Sequence, residues 1–356
     1  MALHHGPARL KNDTLLRALA RQPTEYTPIW LMRQAGRYLP EYRAVRAKVS
    51  FLELCKTPDL AAEVTLQPVD ILGVDAAILF SDILVVCEAM GMQLILEDQG
   101  PQFPTPLRTQ ADVDRLHVAD AEEELGYVME AIRRSLRGLG GRVPLIGFCG
   151  GPWTLAAYMV EGKTSRSFER AKALLFSDER LAHALLGKIA DSLVAYLNAQ
   201  LAAGAHALQI FDSWAGALGP EDYAKFGAPY IARVIAGLER DPQDPQPVIV
   251  FGVETGELLA QLAATGADVV GVDWRVPLDE ARGRVGPAVA LQGNLDPATL
   301  FLPLREQQTR VARVLELADG AGAGHIFNLG HGVIVGTPVE NVKALVQQVH
   351  AHAPPR

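Results

Sequence analysis

The chain has 356 residues, with 33 Lys and Arg against 41 Asp and Glu for a formal charge of −8, and it is 49% hydrophobic and 21% charged. That composition belongs to a packed globular protein and excludes wholesale disorder, collagen-like repeats and disulfide-stapled miniproteins. The acidic balance argues against sequence-independent nucleic-acid binding, which needs surplus Lys and Arg to displace counterions from phosphates, so any anionic ligand must be held locally.

Short runs rich in Val, Ile, Leu and Phe recur along the chain. In order they are PIWLM from Pro28, DAAILF from Asp75, PLIGFC from Pro144, HALQIF from His206, PVIVFG from Pro247, ADVVGV from Ala267, AVALQG from Ala288 and HIFNL from His325. Most lack in/out alternation, which suits strands covered on both faces, as parallel strands are when helices return between them. The intervening segments carry helix punctuation. Thr57-Pro58, Asp296-Pro297 and Thr337-Pro338 each place a capping oxygen before a proline, and Thr337 with Glu340 spells a capping box. A helical tract from Asp178 to Ala203 stops at Gly204, and Pro338 to His352 supplies a closing helix. The segment from Ile83 to Val143 contains one more candidate strand, MQLILED, and decorates a rim.

Eight strand–helix units predict a closed (β/α)8 barrel, a TIM barrel in a single domain over residues 1–356, rather than a doubly wound sheet with a glycine-rich first turn. The N-terminal MALHHGPARL lacks an apolar stretch behind a positive one, so no secretory signal is expected. The apolar tract from Leu193 is interrupted by Asn198, Gln200, Gly204, His206 and Gln209 and reads as helix, loop and strand, with no membrane span. Cys55, Cys87 and Cys149 are odd in number and form no C-x-x-C pair, which fits the reducing cytoplasm.

Active sites of such barrels form at the carboxyl ends of the strands. Those positions hold Arg33-Gln34-Ala35-Gly36-Arg37, Ser81-Asp82, Gly150-Gly151-Pro152-Trp153, Asp212-Ser213-Trp214, Glu254, Asp273-Trp274, Gly293-Asn294-Leu295-Asp296 and Gly330-His331-Gly332. Residues 31–50 carry Arg33, Arg37, Arg43, Arg46 and Lys48 against Glu41, a local charge of +4 in an acidic protein. Arginine's planar fork binds carboxylate or phosphate with two hydrogen bonds, so this stretch reads as a clamp for a polyanion. No Walker loop or dinucleotide fingerprint follows any strand, which favours carboxylates over phosphate. Asp82 would repel such a ligand unless it faced an N–H-bearing or cationic centre. His331, between two glycines, is a candidate donor or titrating group. Tyr158, on the helix after the third strand, and Ser213, with no nucleophile elbow around it, are candidate hydrogen-bonding groups. Trp153 and Trp214 could floor a flat ligand. Scattered cysteines and the absence of H-E-x-x-H point to no metal, with His4-His5 lying near the terminus.

PIWLMRQAGRYLPEYR, FSDILV, GFCGGPWTLAAYMVEG, GNLDP and NLGHG together resemble the uroporphyrinogen decarboxylase family across most of the chain. The resemblance implies a homodimeric, cofactor-free and metal-free barrel enzyme that converts the four acetates of uroporphyrinogen III to methyls, giving coproporphyrinogen III. It places Asp82 on the inward pyrrole N–H groups. Arg33, Gln34, Ala35, Gly36, Arg37, Arg46, Tyr158, Ser213 and His331 would then contact substrate, and Asp82, Arg33, Tyr158 and His331 would act in catalysis. The competing readings are a zinc-dependent corrinoid methyltransferase of related architecture and a non-catalytic tetrapyrrole carrier.

Overall fold

The computed structural model describes residues 10–97, 100–243, 245–322 and 324–354; His4-His5 and the rest of the first nine residues lie outside them. Seven parallel strands form one sheet whose neighbours follow chain order: β1 (Ala77–Ile78), β4 (Leu145–Gly150), β5 (Ala207–Asp212), β6 (Val248–Gly252), β7 (Val269–Gly271), β8 (Ala290–Leu295) and β9 (His325–Leu329). A small antiparallel hairpin, β2 (Ile95–Glu97) with β3 (Gly100–Gln102), contains the extra strand expected in MQLILED. Every residue of β4, β6 and β8 is buried, as strands sandwiched between helices and a curled sheet interior must be.

The first of the eight expected strands is not a strand. Pro28–Leu31 makes a single parallel bridge, Ile29 to Phe327, because side chains capture its amides. Ile29 N–H donates to Asp75 Oδ2, Leu31 N–H to Gln34 Oε1 and Met32 N–H to Asn328 Oδ1. The segment nonetheless touches both edges of the sheet, accepting from Phe327 N–H through Pro28 O and from Asp75 N–H through Ile29 O. β1 is equally short. Thr65 Oγ1, on helix Pro58–Leu72, takes Phe80 N–H at 2.9 Å and draws the chain off the sheet just before Asp82.

One buried cluster lies inside the curl: Trp30, Met32, Ala76, Ile146, Ala207, Ile249, Phe251, Val269, Ala290 and Ile326. Leu15, Ala18 and Leu19 of helix Thr14–Leu19 join it and close the amino-terminal end of the sheet. A larger cluster packs the helices on the outside. The carboxyl end is left to the loops that follow the strands. Helix Glu179–Ala202 fills the expected tract and starts on an Asp178 cap, and Asp296 caps the turn Pro297–Phe301 as the sequence suggests. The other two caps differ. Thr57 and Thr337 spend their hydroxyls on the preceding turns, donating to Glu53 O and Ile334 O, and helix Val339–His350 begins one residue after Pro338. Capping boxes form instead at Ser50 with Glu53 and at Thr109 with Asp112.

Candidate active site

Asp82 follows β1 in a tight turn in which its Oδ1 accepts Leu84 N–H at 2.8 Å. Among the described residues no ion pair or further hydrogen bond reaches its other oxygen. Burial raises its pKa above the ordinary carboxylate value, opposed by the Leu84 N–H and by the positive charge of Arg33. Arg33 and Arg37 are exposed, and among the described residues neither guanidinium has a protein partner. The loop between them is built rather than floppy. Tyr38 hydroxyl donates to Gln34 O at 2.7 Å, and Arg43 donates to Arg37 O at 2.8 Å and Tyr38 O at 3.1 Å, so Arg43 braces the loop. Arg46 is partly buried, donates to Val49 O, and acts electrostatically on Tyr42 and on Cys55, which also feels Asp82.

His331 Nδ1 accepts Gly332 N–H at 2.7 Å, which leaves Nε2 as the protonated nitrogen of a neutral ring. Burial, with the charges of Arg33 and Arg275, pushes its pKa down to about 4. His331 is therefore a neutral N–H donor at physiological pH. Tyr158, on helix Pro152–Glu161, is partly buried and meets Trp214 edge-on at 6.0 Å between ring centres; its phenol is pushed up by burial and senses both Asp82 and Arg33. The charge of Arg33 thus acts on Asp82, Tyr158 and His331 alike, which puts all three within its electrostatic reach. Ser213 is partly buried and follows Asp212, whose carboxylate is fixed by Thr154 Oγ1 at 2.6 Å and Tyr223 hydroxyl at 2.8 Å. A Cβ on Gly151 would lie 2.7 Å from that carboxylate, so the glycine is needed for the close approach of the β4 and β5 loops.

Two sequence expectations shift. Gln34 is fully buried and its amide is consumed by Leu31 N–H and Ala76 O, so it faces the protein interior rather than a ligand. Trp153 is 1% exposed, and its indole donates to Trp214 O at 2.9 Å, which makes it core; only Trp214 is partly exposed. Phe148, Phe211 and Phe251 form an edge-to-face series, 5.6 and 6.4 Å between centres, that continues to His331 at 6.4 Å. These aromatics sit at inward positions of β4, β5 and β6, a periodicity that the fully apolar runs conceal. Arg275 was also missed: it stacks 4.1 Å over Trp274 and pairs with Asp273 and Glu254 at 3.0 Å. Among the described residues no three His, Cys, Asp or Glu side chains converge as a metal site would, and no helix is long and apolar enough to cross a membrane.

The family model described as Uroporphyrinogen decarboxylase (URO-D) matches residues 10–352. A uroporphyrinogen decarboxylase of Myxococcus xanthus is 57% identical over 96% of this chain and 97% of its own, and one of Hahella chejuensis is 51% identical over 98% of both. Among solved structures, a methyltransferase from Methanosarcina mazei superimposes with a TM-score of 0.80 at 22% identity, covering 96% of this chain and 98% of that one; the likeness is one of fold. Matched nearly from end to end and more than half identical to relatives of its own length, the chain belongs to the uroporphyrinogen decarboxylase family.

Proposed function

We propose that this protein is a carboxy-lyase that removes carbon dioxide from the four acetate side chains of uroporphyrinogen III, leaving the methyls of coproporphyrinogen III. The observation that carries this reading is the charge layout: Asp82, a carboxylate with one oxygen unengaged among the described residues, and His331, a neutral imidazole donor, both lie in the field of the Arg33 guanidinium. A porphyrinogen has the complementary layout, with carboxylates at its perimeter and pyrrole N–H groups at its centre. Arg33, Arg37 and Arg46, with the backbone at Ala35 and Gly36, hold the perimeter; Tyr158, Ser213 and the His331 Nε2–H add hydrogen bonds. Phe211, partly exposed and packed against Phe148 and Phe251, supplies an apolar surface.

Loss of carbon dioxide from an acetate would strand an electron pair on carbon. Protonation of a pyrrole carbon provides the sink: the C–COO⁻ bond breaks, its electrons move into the ring cation, and a proton added to the exocyclic carbon yields the methyl while the ring carbon gives its proton back. Asp82 stabilises the cationic ring, and burial strengthens that interaction. Arginine holds its proton too tightly to be the acid, so Arg33 orients a substrate acid or a water that relays it. In this reading the chain is one domain, and segment Pro28–Leu31 closes the sheet into an eight-membered barrel. The protein works as a homodimer in the cytoplasm, without nucleic acid, metal or organic cofactor; its buried free cysteines suit that compartment.

The decisive experiment is anaerobic incubation of metal-free protein with uroporphyrinogen III. Coproporphyrinogen with four equivalents of carbon dioxide is the expected product. Binding without carbon dioxide release would make the protein a carrier, and turnover that required zinc and a cobamide methyl donor would make it a methyltransferase.

A further inference from the structure

Arg33 has a backbone φ of 60°, a left-handed conformation that residues with a Cβ rarely adopt. Buried amides clamp it on both sides. Before it, Met32 N–H donates to Asn328 Oδ1 at 3.1 Å, and Met32 O accepts Val333 N–H at 2.9 Å. After it, Gln34 N–H donates to Leu31 O at 2.9 Å while the Gln34 side chain accepts Leu31 N–H at 3.1 Å and donates to Ala76 O at 3.0 Å. Gln34 and Asn328 are both fully buried, and Asn328 Oδ1 also accepts Leu329 N–H at 2.8 Å. Gly332 completes the seat. A Cβ there would stand 2.6 Å from Arg33 Cγ and closer still to Cδ, yet the Gly332 backbone is outside the left-handed region, so its missing side chain serves the arginine stem rather than its own conformation.

We propose that Gln34, Asn328 and Gly332 are positioning residues for Arg33: they impose its left-handed backbone and a fixed path for its stem, and so hold the guanidinium within electrostatic reach of Asp82 without an ion pair to it. This rests on the functional reading above. The physical need is plain. A guanidinium free to swing would pair with the unengaged Asp82 oxygen, and each group would neutralise the partner the ligand requires. Arg33 is close enough to influence Asp82 electrostatically, yet the two form no ion pair.

The test is a pair of double-mutant cycles, Gly332→Ala with Arg33→Ala and Asn328→Ala with Arg33→Ala, read as kcat/KM for uroporphyrinogen and as uroporphyrinogen affinity. Gly332→Ala is expected to lower kcat/KM about tenfold or more in the wild-type background and less than about twofold when Arg33 is already alanine. Asn328→Ala should behave alike; if it does not fold, the Gly332 cycle decides, since the three atoms nearest the added methyl all belong to the Arg33 side chain. Losses that multiply independently in either cycle overturn the proposal. Wild-type protein that binds uroporphyrinogen without turning it over overturns the decarboxylase reading instead, and the affinity cycle then still decides whether these residues set Arg33.

Discussion

Asp82 carries a charge that burial disfavours and that, among the described residues, no ion pair offsets. Asp82→Asn keeps the shape and removes the charge. Turnover should fall by about 10² or more with the fold retained, because the electrostatic stabilisation of the developing cation is lost. Its raised pKa fixes the sign of the pH dependence: activity in the wild type falls as pH drops through a value above the ordinary aspartate range, and the residual activity of Asp82→Asn should lack that limb. Identical profiles would remove Asp82 from the chemistry. Arg37→Ala should act mainly on KM, by about tenfold, since an exposed guanidinium contributes binding shared by ground and transition states; an unchanged uroporphyrinogen affinity would take Arg37 out of the clamp. Sequence reasoning singled out these charged residues as candidates because a charge at a strand end among glycines has few structural uses. It read Gln34 as a substrate contact, whereas the side chain braces the backbone, and it passed over the packing of Phe148, Phe211 and Phe251, because a fully apolar run does not show which of its residues point inward.

Seven of the eight expected strands appear as strands, and their order follows from chain order because a parallel sheet built from repeated strand–helix units has few other solutions. The exceptions have one cause. Polar side chains compete with neighbouring strands for backbone amides, as Asp75, Gln34, Asn328 and Thr65 do around Pro28–Leu31 and Phe80, and no periodicity reports that competition in advance. The caps at Thr57 and Thr337 failed for a related reason, their hydroxyls being satisfied one turn earlier. Asp75 shows how much such an interaction holds. It is 1% exposed and accepts from Asn12 at 3.0 Å, Tyr26 at 2.7 Å, Ile29 N–H at 2.8 Å and His350 at 2.8 Å, tying the N-terminal segment and the last helix to the entrance of β1. Asp75→Ala strands these donors and should cost roughly 2–4 kcal/mol in urea unfolding. Because this node is at the amino end of the sheet, folded Asp75→Ala should keep kcat/KM within about threefold of wild type. A matching loss of kcat/KM at full folding would mean that the node also sets the distant loops.

Across the whole molecule, neutral histidines link stability to pH. Burial pushes His325 and His331 down to about 4 and also lowers His206. The unfolded chain takes up these protons below its ordinary histidine pKa of about 6.5, whereas the folded chain refuses them. Stability is therefore fully present above that value, is lost as pH falls through the window, and ceases to fall once the folded histidines protonate near 4. Asp82 and Asp212, both raised by burial, act in the opposite sense at the lower end, since the folded state then binds their protons more readily. The acid limb should thus begin near pH 6.5, before ordinary carboxylates titrate. His325 separates the effect from the candidate site, since it begins the last strand; burial outweighs the charges of Asp319, His352 and Arg282 around it, and Nε2 donates to Gly293 O at 2.7 Å. A glutamine there retains an N–H donor and cannot take a proton. His325→Gln should match wild type near pH 7.5 and exceed it by roughly 1–2 kcal/mol at pH 5, flattening the fall of Tm with pH. Parallel Tm curves for the two proteins would show that His325 binds its proton as readily folded as unfolded, and the acid limb would then have to come from His331 and His206.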